Sequence, residues 1–197
     1  MLREALIEHC APTLAGLKTG SIFTVKNRES DDSEDKLRDE MCLLNMVFNK
    51  RGLRIVPIRK TESHTLIYLY RPDMLRSDLN APEAMDILEE CGYDCENSDF
   101  CLVQLVKHLA GDENFPHEIG LFLGYPPYDV KCFMRDTRKG VKCVGCWKVY
   151  SNRKRAVETF EKFRKCTEIY HRALKNGKTL EELIVPNGRE LTRDKAI

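Results

Sequence analysis

Three residues of the chain have the types found in cysteine-nucleophile sites: Cys10, His117 and Glu118. Cys10 is followed by Ala11-Pro12 and then by two glycines, a composition that predicts a loop and an exposed side chain. A thiolate there would be a nucleophile if a base lay within reach and an acid oriented that base. The trio therefore predicts a thiol-dependent catalytic site. The alternative is that Cys10 only fills space in the core and that His117 is a capping or core histidine.

Four other cysteines have spacings that suit a metal ion. Two residues separate Cys143 from Cys146, as in a zinc knuckle, and three separate Cys91 from Cys95. If the two segments meet, four thiolates would complete a structural zinc site. However, a straight strand would point Cys143 and Cys146 to opposite faces unless Gly145 breaks the pleat. The alternative is unrelated thiols near a turn, and a thioredoxin-type redox pair is disfavoured because no helix follows directly.

The charges of the chain are segregated. Segment 135–155 has eight basic residues and one acid, a local charge of +7, whereas segment 83–99 has seven acids and no base. Arg153, Lys154 and Arg155 fall in the first turn of a predicted helix, where positive charge opposes the helix dipole and a bound phosphate would relieve it. The segment predicts an anion site, or an interaction module that docks RNA or an acidic protein. The alternative is a solvated basic face, or pairing with the acidic segment.

Hydrophobic periodicity and turn residues define the elements that must position these side chains. Apolar and β-branched runs predict strands at 21–25, 53–58, 65–70 and 144–150. Pro57 predicts an edge or bulged strand, and the short link 60–63 predicts a hairpin between the second and third strands. The spacing of Leu37, Met41, Leu44 and Phe48 predicts one apolar helix face. Apolar faces and helix-start signals predict helices at 2–9, 32–51, 72–79, 82–91, 98–109, from 116, 127–135 and from 152 to 175. The pattern predicts an α+β fold with a small mixed or antiparallel sheet of about four strands and six or more helices. We expect a single domain over residues 1–185 and a polar tail over 186–197.

Composition limits the class of protein. The 197 residues carry a net charge of +1, so no global field directs the protein to nucleic acid or to a membrane. No apolar run reaches the ~20 residues that span a bilayer, and the N-terminus lacks the apolar centre of a signal peptide. Nine cysteines, an odd number at irregular spacing, favour reduced thiols in the cytoplasm over a disulfide framework. The sequence contains no dinucleotide-binding or P-loop motif that would indicate a cofactor, so the cofactor is unknown.

These observations favour a protein that handles a small molecule, with an anionic ligand as one version. The expected pocket is formed by the Cys10 loop, segment 115–125 and segment 147–150, because turn-bounded loops beside a scaffold are where sites usually lie. Lys18, Tyr125, Trp147 and Lys148 are predicted to contact the ligand together with the basic helix start. The pattern leaves open whether the protein is an enzyme or a binder.

A resemblance to a known family is carried by three segments: 9–18 (HCAPTLAGLK), 115–126 (FPHEIGLFLGYP) and 147–150 (WKVY), with Tyr70-Arg71-Pro72 between the first two. Together they resemble a family of bacterial proteins known as a domain of unknown function, DUF3793. The likeness runs from about residue 5 to residue 184. It implies a bacterial cytosolic protein and supplies no activity or catalytic residues.

Overall fold

The computed structural model describes residues 2–27, 32–94, 97–111 and 115–186, with the backbone alone at 32–35. In these ranges the helices are α1 (Leu2–Leu14), α2 (Asp32–Phe48), α3 (Pro72–Leu79), α4 (Pro82–Glu90), α5 (Ser98–Gly111), α6 (Ile119–Phe122), α7 (Pro127–Arg135), α8 (Arg153–Lys175) and α9 (Leu180–Leu183). The strands are β1 (Gly20–Lys26), β2 (Arg54–Lys60), β3 (His64–Tyr70), β4 (Cys143–Val144) and β5 (Lys148–Val149). The predicted α+β fold class is confirmed.

The chain divides into two compact units. Unit 1 consists of residues 1–72 and 166–197, and unit 2 consists of residues 73–165. The boundary falls inside α8, so the first part of that helix belongs to unit 2 and the last part to unit 1. The expected single domain over residues 1–185 stays a prediction, and most of the expected tail, residues 187–197, lies outside the described residues.

Unit 1 contains a three-stranded antiparallel sheet in the order β1-β3-β2. The hairpin predicted for the two strands on either side of residues 61–63 is confirmed. So is the irregular edge predicted from Pro57, because the register of β2 shifts between Pro57 and Arg59. Proline cannot donate a ladder hydrogen bond, which explains why it lies on an edge strand beside a bulge.

The core of unit 1 comes from α1, α2, the sheet, the end of α8, and α9. The predicted apolar face of α2 is confirmed, since Met41, Leu44 and Phe48 are buried and Leu37 packs against them. The core residues of α1 are spaced along one face of the helix, and Pro12 and Thr13 at its end are also buried. These core residues are Leu2, Leu6, Ile7, Cys10, Ala11 and Leu14.

The prediction that the first helix ends before Pro12 is wrong. Helix α1 continues to Leu14 with Pro12 inside it, and Gly16 then ends it with a φ of 75°. The backbone N–H of Leu17 donates to the carbonyl of Pro12 at 2.9 Å, as in a Schellman motif. Pro12 removes one hydrogen bond near the helix end, and burial of the α1 face offsets that loss.

Arg71 ties together parts of unit 1 that are far apart in sequence. Its guanidinium is buried and donates through Nε to the carbonyl of Thr13 at 2.7 Å. Its Nη2 donates at 2.7 Å to the carbonyl of Leu14 and at 2.7 Å to that of Val185. The positive charge thus lies at the C-terminal end of α1, where the helix dipole favours it.

Unit 2 contains helices α3 to α7, the β4–β5 hairpin and the start of α8. The single strand predicted over residues 144–150 is wrong. The segment folds back on itself, with Cys143 opposite Val149 and Val144 opposite Lys148, and with a turn at residues 145–147. Gly145 allows the turn because it lies against the ring of Phe160, where a Cβ atom would overlap the aromatic carbons.

Among the described residues, no helix combines the length and the apolar character needed to cross a membrane.

Candidate functional site

A cavity of about 340 Å³ lies in unit 2, a volume within the range of small-molecule sites. It is lined by residues of segment 115–125, of α7 and of the β4–β5 hairpin. Most of the lining side chains are aromatic or aliphatic, and three are polar: His117, Asp129 and Lys148. The others are Phe115, Ile119, Gly120, Tyr125, Val130, Phe133 and Trp147.

Asp129 organises the cavity wall from the first turn of α7. Its side chain is buried, and Oδ1 accepts hydrogen bonds from the backbone N–H groups of Tyr150 at 3.0 Å and Ser151 at 2.7 Å. Its Oδ2 accepts a hydrogen bond from Nε1 of Trp147 at 2.8 Å. A buried carboxylate needs such donors, and here three of them also fix the hairpin and the indole relative to α7.

Trp147 and Tyr125 form one aromatic wall. Their rings stack with centroids 5.1 Å apart, and the indole also meets the ring of Phe160 edge-on at 4.6 Å. The hydroxyl of Tyr125 donates to the carbonyl of Cys146 at 3.0 Å, which ties the wall to the hairpin turn. Burial, with a smaller effect of Cys146, raises the pKa of Tyr125 to about 12, so this phenol stays neutral at physiological pH.

Phe133 contributes a further aromatic ring to the lining, in addition to Phe115. The imidazole of His117 meets it edge-on with centroids 4.9 Å apart, and Nζ of Lys148 lies 5.4 Å from its centroid. His117 is exposed and Lys148 is half-buried. The cavity is therefore bordered by rings and carries a lysine and a histidine as its cationic or hydrogen-bonding groups.

The structure brings together four of the residues predicted to form a site: His117, Tyr125, Trp147 and Lys148 all line this cavity. Their participation in ligand binding stays a prediction. The lining contains no cysteine, serine or threonine, and the hydroxyl of Tyr125 is engaged with the carbonyl of Cys146.

Glu118 lies next to His117 in sequence but belongs to a different cluster. It is buried, and its Oε1 accepts from the hydroxyl of Tyr93 at 3.0 Å and lies 3.2 Å from Nδ1 of His108. Burial, followed by the Glu118 carboxylate, raises the pKa of Tyr93 and brings that of Cys91 to about 11. Glu118 therefore contacts Tyr93 and His108, and these contacts do not pair it with His117 as the predicted trio required.

Cys10 does not lie in an exposed loop, so that premise of the predicted thiol site is wrong. It is fully buried on the core face of α1 in unit 1. Burial raises the pKa of its thiol, and the smaller effects of Lys18 and Ser21 only partly oppose this. A thiol held neutral in a core is a poor nucleophile. Lys18, predicted to contact a ligand, is half-buried in the same unit.

The structure describes three of the four cysteines that were predicted to bind zinc. Among the described residues, no group of three or more histidine, cysteine or acidic side chains is placed to hold a metal ion. Cys143 and Cys146 lie in the β4–β5 hairpin, Cys91 follows α4, and Cys95 lies outside the described residues. The four-thiolate set therefore stays a prediction. The eight described cysteines form no disulfide, in agreement with the expected reduced state.

The basic residues at the start of α8 lie where they were predicted. Arg153, Lys154 and Arg155 form its first turn and are exposed, and the backbone N–H of Arg155 donates to Oδ1 of Asn152 at 3.0 Å. They are not among the residues that line the cavity. An anion at this turn stays a prediction.

Asp129, Val130 and Phe133 are the cavity residues that sequence reasoning missed. Asp129 and Phe133 show the pattern most clearly. They are four residues apart on α7, so they share one helix face with Val130 nearby. The signal was present in the two prolines that start the helix and the acid in its first turn. An acid in that position is ordinarily explained by the helix dipole alone, which conceals its contact with an indole from another segment.

A family model described as a protein of unknown function, DUF3793, matches residues 6–184. The chain has no significant match among the curated proteins or the solved structures. The resemblance carried by segments 9–18, 115–126 and 147–150 is therefore confirmed over nearly the whole chain. On this match, the protein belongs to the DUF3793 family.

Proposed function

We propose that the protein binds a small, largely apolar molecule with a planar group in the cavity of unit 2. The observation that carries this proposal is the aromatic lining around about 340 Å³ of space. The stacked pair Tyr125–Trp147 offers flat surface, and the ring of Phe133 offers more. Aromatic rings prefer offset-stacked or edge-on contact with a planar partner, worth ~0.5–1.5 kcal/mol each beyond the area they bury.

The lining is also held in place before any ligand arrives. Asp129 fixes the indole and two backbone groups of the hairpin, and Tyr125 fixes the turn through the carbonyl of Cys146. A preorganised wall does not lose side-chain entropy on binding, which favours affinity. Because these hydrogen bonds hold the wall in place, we expect the cavity to stay open without a ligand, which supports a binding site.

Trp147 makes the proposal directly testable, because it is the protein's one tryptophan and it lines the cavity. The probe is neutral phenylnaphthylamine, whose emission rises in apolar surroundings and which accepts excitation energy from an indole nearby. We expect saturable binding of one probe per chain, with quenching of the Trp147 emission in step with the rise of probe emission.

Ile119→Phe is designed to fill part of the cavity, and Ile169→Phe is its matched control because Ile169 is 60 % exposed on α8. The first variant should weaken probe binding by at least about fivefold, while the second should bind like the parent. If Ile119→Phe unfolds, Phe133→Leu, which removes one ring and keeps an apolar side chain, should weaken binding by about threefold to tenfold. Probe binding without energy transfer from Trp147 would contradict the proposal.

A second proposal concerns the basic segment 135–155, whose arginines, together with Lys139, Lys142 and Lys154, are exposed. Exposed cations on one segment support docking of single-stranded RNA through its phosphates, and such binding weakens steeply with salt, with a slope of roughly −0.7 per phosphate contact. Anisotropy of a labelled oligonucleotide at several salt concentrations tests this. Lys154→Glu should reduce both the affinity for the oligonucleotide and the slope of its salt dependence. An affinity that does not change with salt concentration would refute RNA docking.

A further inference from the structure

The cavity of unit 2 contains one positive charge whose hydrogen-bonding capacity is only partly used. Lys148 begins β5, and its half-buried ammonium donates to the carbonyl of Thr137 at 3.0 Å. An ammonium group has three N–H donors, so two remain for other partners. Within the described part of the chain, no carboxylate lies within 4.0 Å of this nitrogen.

The carboxylate that shares the cavity is already engaged. Asp129 directs Oδ1 to two backbone N–H groups and Oδ2 to the indole of Trp147. Three donors therefore compensate its negative charge, whereas one neutral carbonyl and the face of Phe133 are the contacts of the Lys148 ammonium. The Lys148 ammonium therefore has N–H donors left for a negatively charged acceptor in the cavity.

We infer that the ligand of this cavity is an aromatic or heteroaromatic molecule that carries one anionic group, such as a carboxylate, sulfonate or phosphate. The inference deepens the proposed function and rests on it. The ring lies against Tyr125 and Trp147, and the anionic group lies at the ammonium of Lys148. His117, exposed beside Phe133, supplies a further donor at the rim.

The competing occupant is a cation, since tryptophan, tyrosine and phenylalanine rings beside an aspartate also attract ammonium groups. The ammonium of Lys148 argues against this, because it lines the same cavity and already lies over the ring of Phe133. A second cation would be repelled there, and the Asp129 oxygens that would attract it point to N–H donors instead.

The experiment compares two probes of similar shape and different charge: anionic anilinonaphthalene sulfonate and neutral phenylnaphthylamine. Quenching of Trp147 emission reports probe bound in the vicinity of the indole, and its loss in Ile119→Phe assigns that signal to the cavity. We expect the parent to bind the sulfonate about tenfold more tightly than the neutral probe, the effect of one charge-assisted hydrogen bond. Lys148→Met should lower the ratio of the two affinities from about ten to about one, because only the sulfonate loses a charged partner.

Two further variants keep the result interpretable. Lys148→Arg retains the charge and should retain the preference for the sulfonate. Lys139→Met removes an exposed lysine that does not line the cavity and should change neither probe. If Lys148→Met weakens both probes equally, or neither, the inference about the anion fails while the proposed cavity function stands. Competition by phenyltrimethylammonium but not by benzoate would show a cation site instead, and failure of both naphthalene probes to accept energy from Trp147 would overturn the proposed function itself.

Discussion

The most informative single substitution is Asp129→Asn, because an amide in that position can satisfy only part of what the carboxylate does. Its carbonyl can still accept the backbone N–H groups of Tyr150 and Ser151, but its NH2 group would face the N–H of Trp147. Two donors then meet, and the indole loses its acceptor. The substitution thus removes one hydrogen bond and converts two charge-assisted bonds into neutral ones.

The expected cost follows from these three bonds. A hydrogen bond to a charged group contributes ~1.5–3 kcal/mol and a neutral one ~0.5–1.5 kcal/mol, and an orphaned buried donor costs ~1–3 kcal/mol. Part of the loss is offset because a neutral side chain costs less to bury than a charged one. We expect a net decrease of about 2–3 kcal/mol in the free energy of unfolding. Urea denaturation followed by circular dichroism measures it, with Trp147 emission as a second probe.

A double-mutant cycle assigns the loss to the indole bond. Trp147→Phe removes the N–H donor, so Asp129→Asn should cost about 1 kcal/mol less in that background than in the parent. The matched control is Asp39→Asn, since the Asp39 side chain is 70 % exposed and should change stability by less than about 0.5 kcal/mol. The reasoning is refuted if Asp129→Asn behaves like this control, or if the cycle shows no coupling.

Four further outcomes are expected. In the native protein, iodoacetamide should label exposed Cys146 well before Cys166, whose pKa burial raises to about 11, and peptide mass spectrometry showing equal rates would contradict this. Because the pKa of Cys166 is higher in the folded than in the unfolded state, the stability contributed by its neutral thiol is fully present below pH ~8.5. This contribution should be lost as the pH rises towards 11, and denaturation at several alkaline pH values measures the loss. Lys154→Glu should add up to ~1 kcal/mol in low salt, because an acid suits a helix start, and a gain that persists in high salt would argue against that cause. Gly145→Ala should cost ~1–3 kcal/mol by displacing an aromatic ring of α8, whereas Gly111→Ala, with open space around it, should be neutral or slightly stabilising in the same melting assay.

Local chemistry was enough to predict most elements of the fold. The α2 face ending at Phe48, the β2–β3 hairpin and the irregularity at Pro57 follow from periodicity and from what proline cannot donate. Pro12 shows the limit of such rules. The penalty of a proline near a helix end is smaller than the gain from burying one side of α1, and the spacing of Leu6, Cys10 and Leu14 already contained that signal.

The candidate site could be predicted only in part. Trp147 and Lys148 were found because segment 147–150 was predicted to form part of the pocket, although it was predicted to lie within one straight strand rather than after a turn. Asp129 and Phe133 were missed because their roles come from contacts with segments that sequence patterns do not join, 18 residues away in the case of the indole bond. Cys10 was misplaced because a proline-containing sequence is equally compatible with an exposed turn and with a buried helix end.

The hydrogen bonds of Arg71 have a consequence for how the chain is made. The guanidinium joins carbonyls near residue 14 to one at residue 185, a separation of 114 positions from Arg71 itself. During synthesis residues 1–72 therefore obtain their last partners only after residue 185 has been made, whereas residues 73–165 form a continuous stretch that is finished earlier. Until then the apolar faces of α1 and α2 lack the cover that α8 and α9 later give the same core, a condition that favours chaperone binding and premature association.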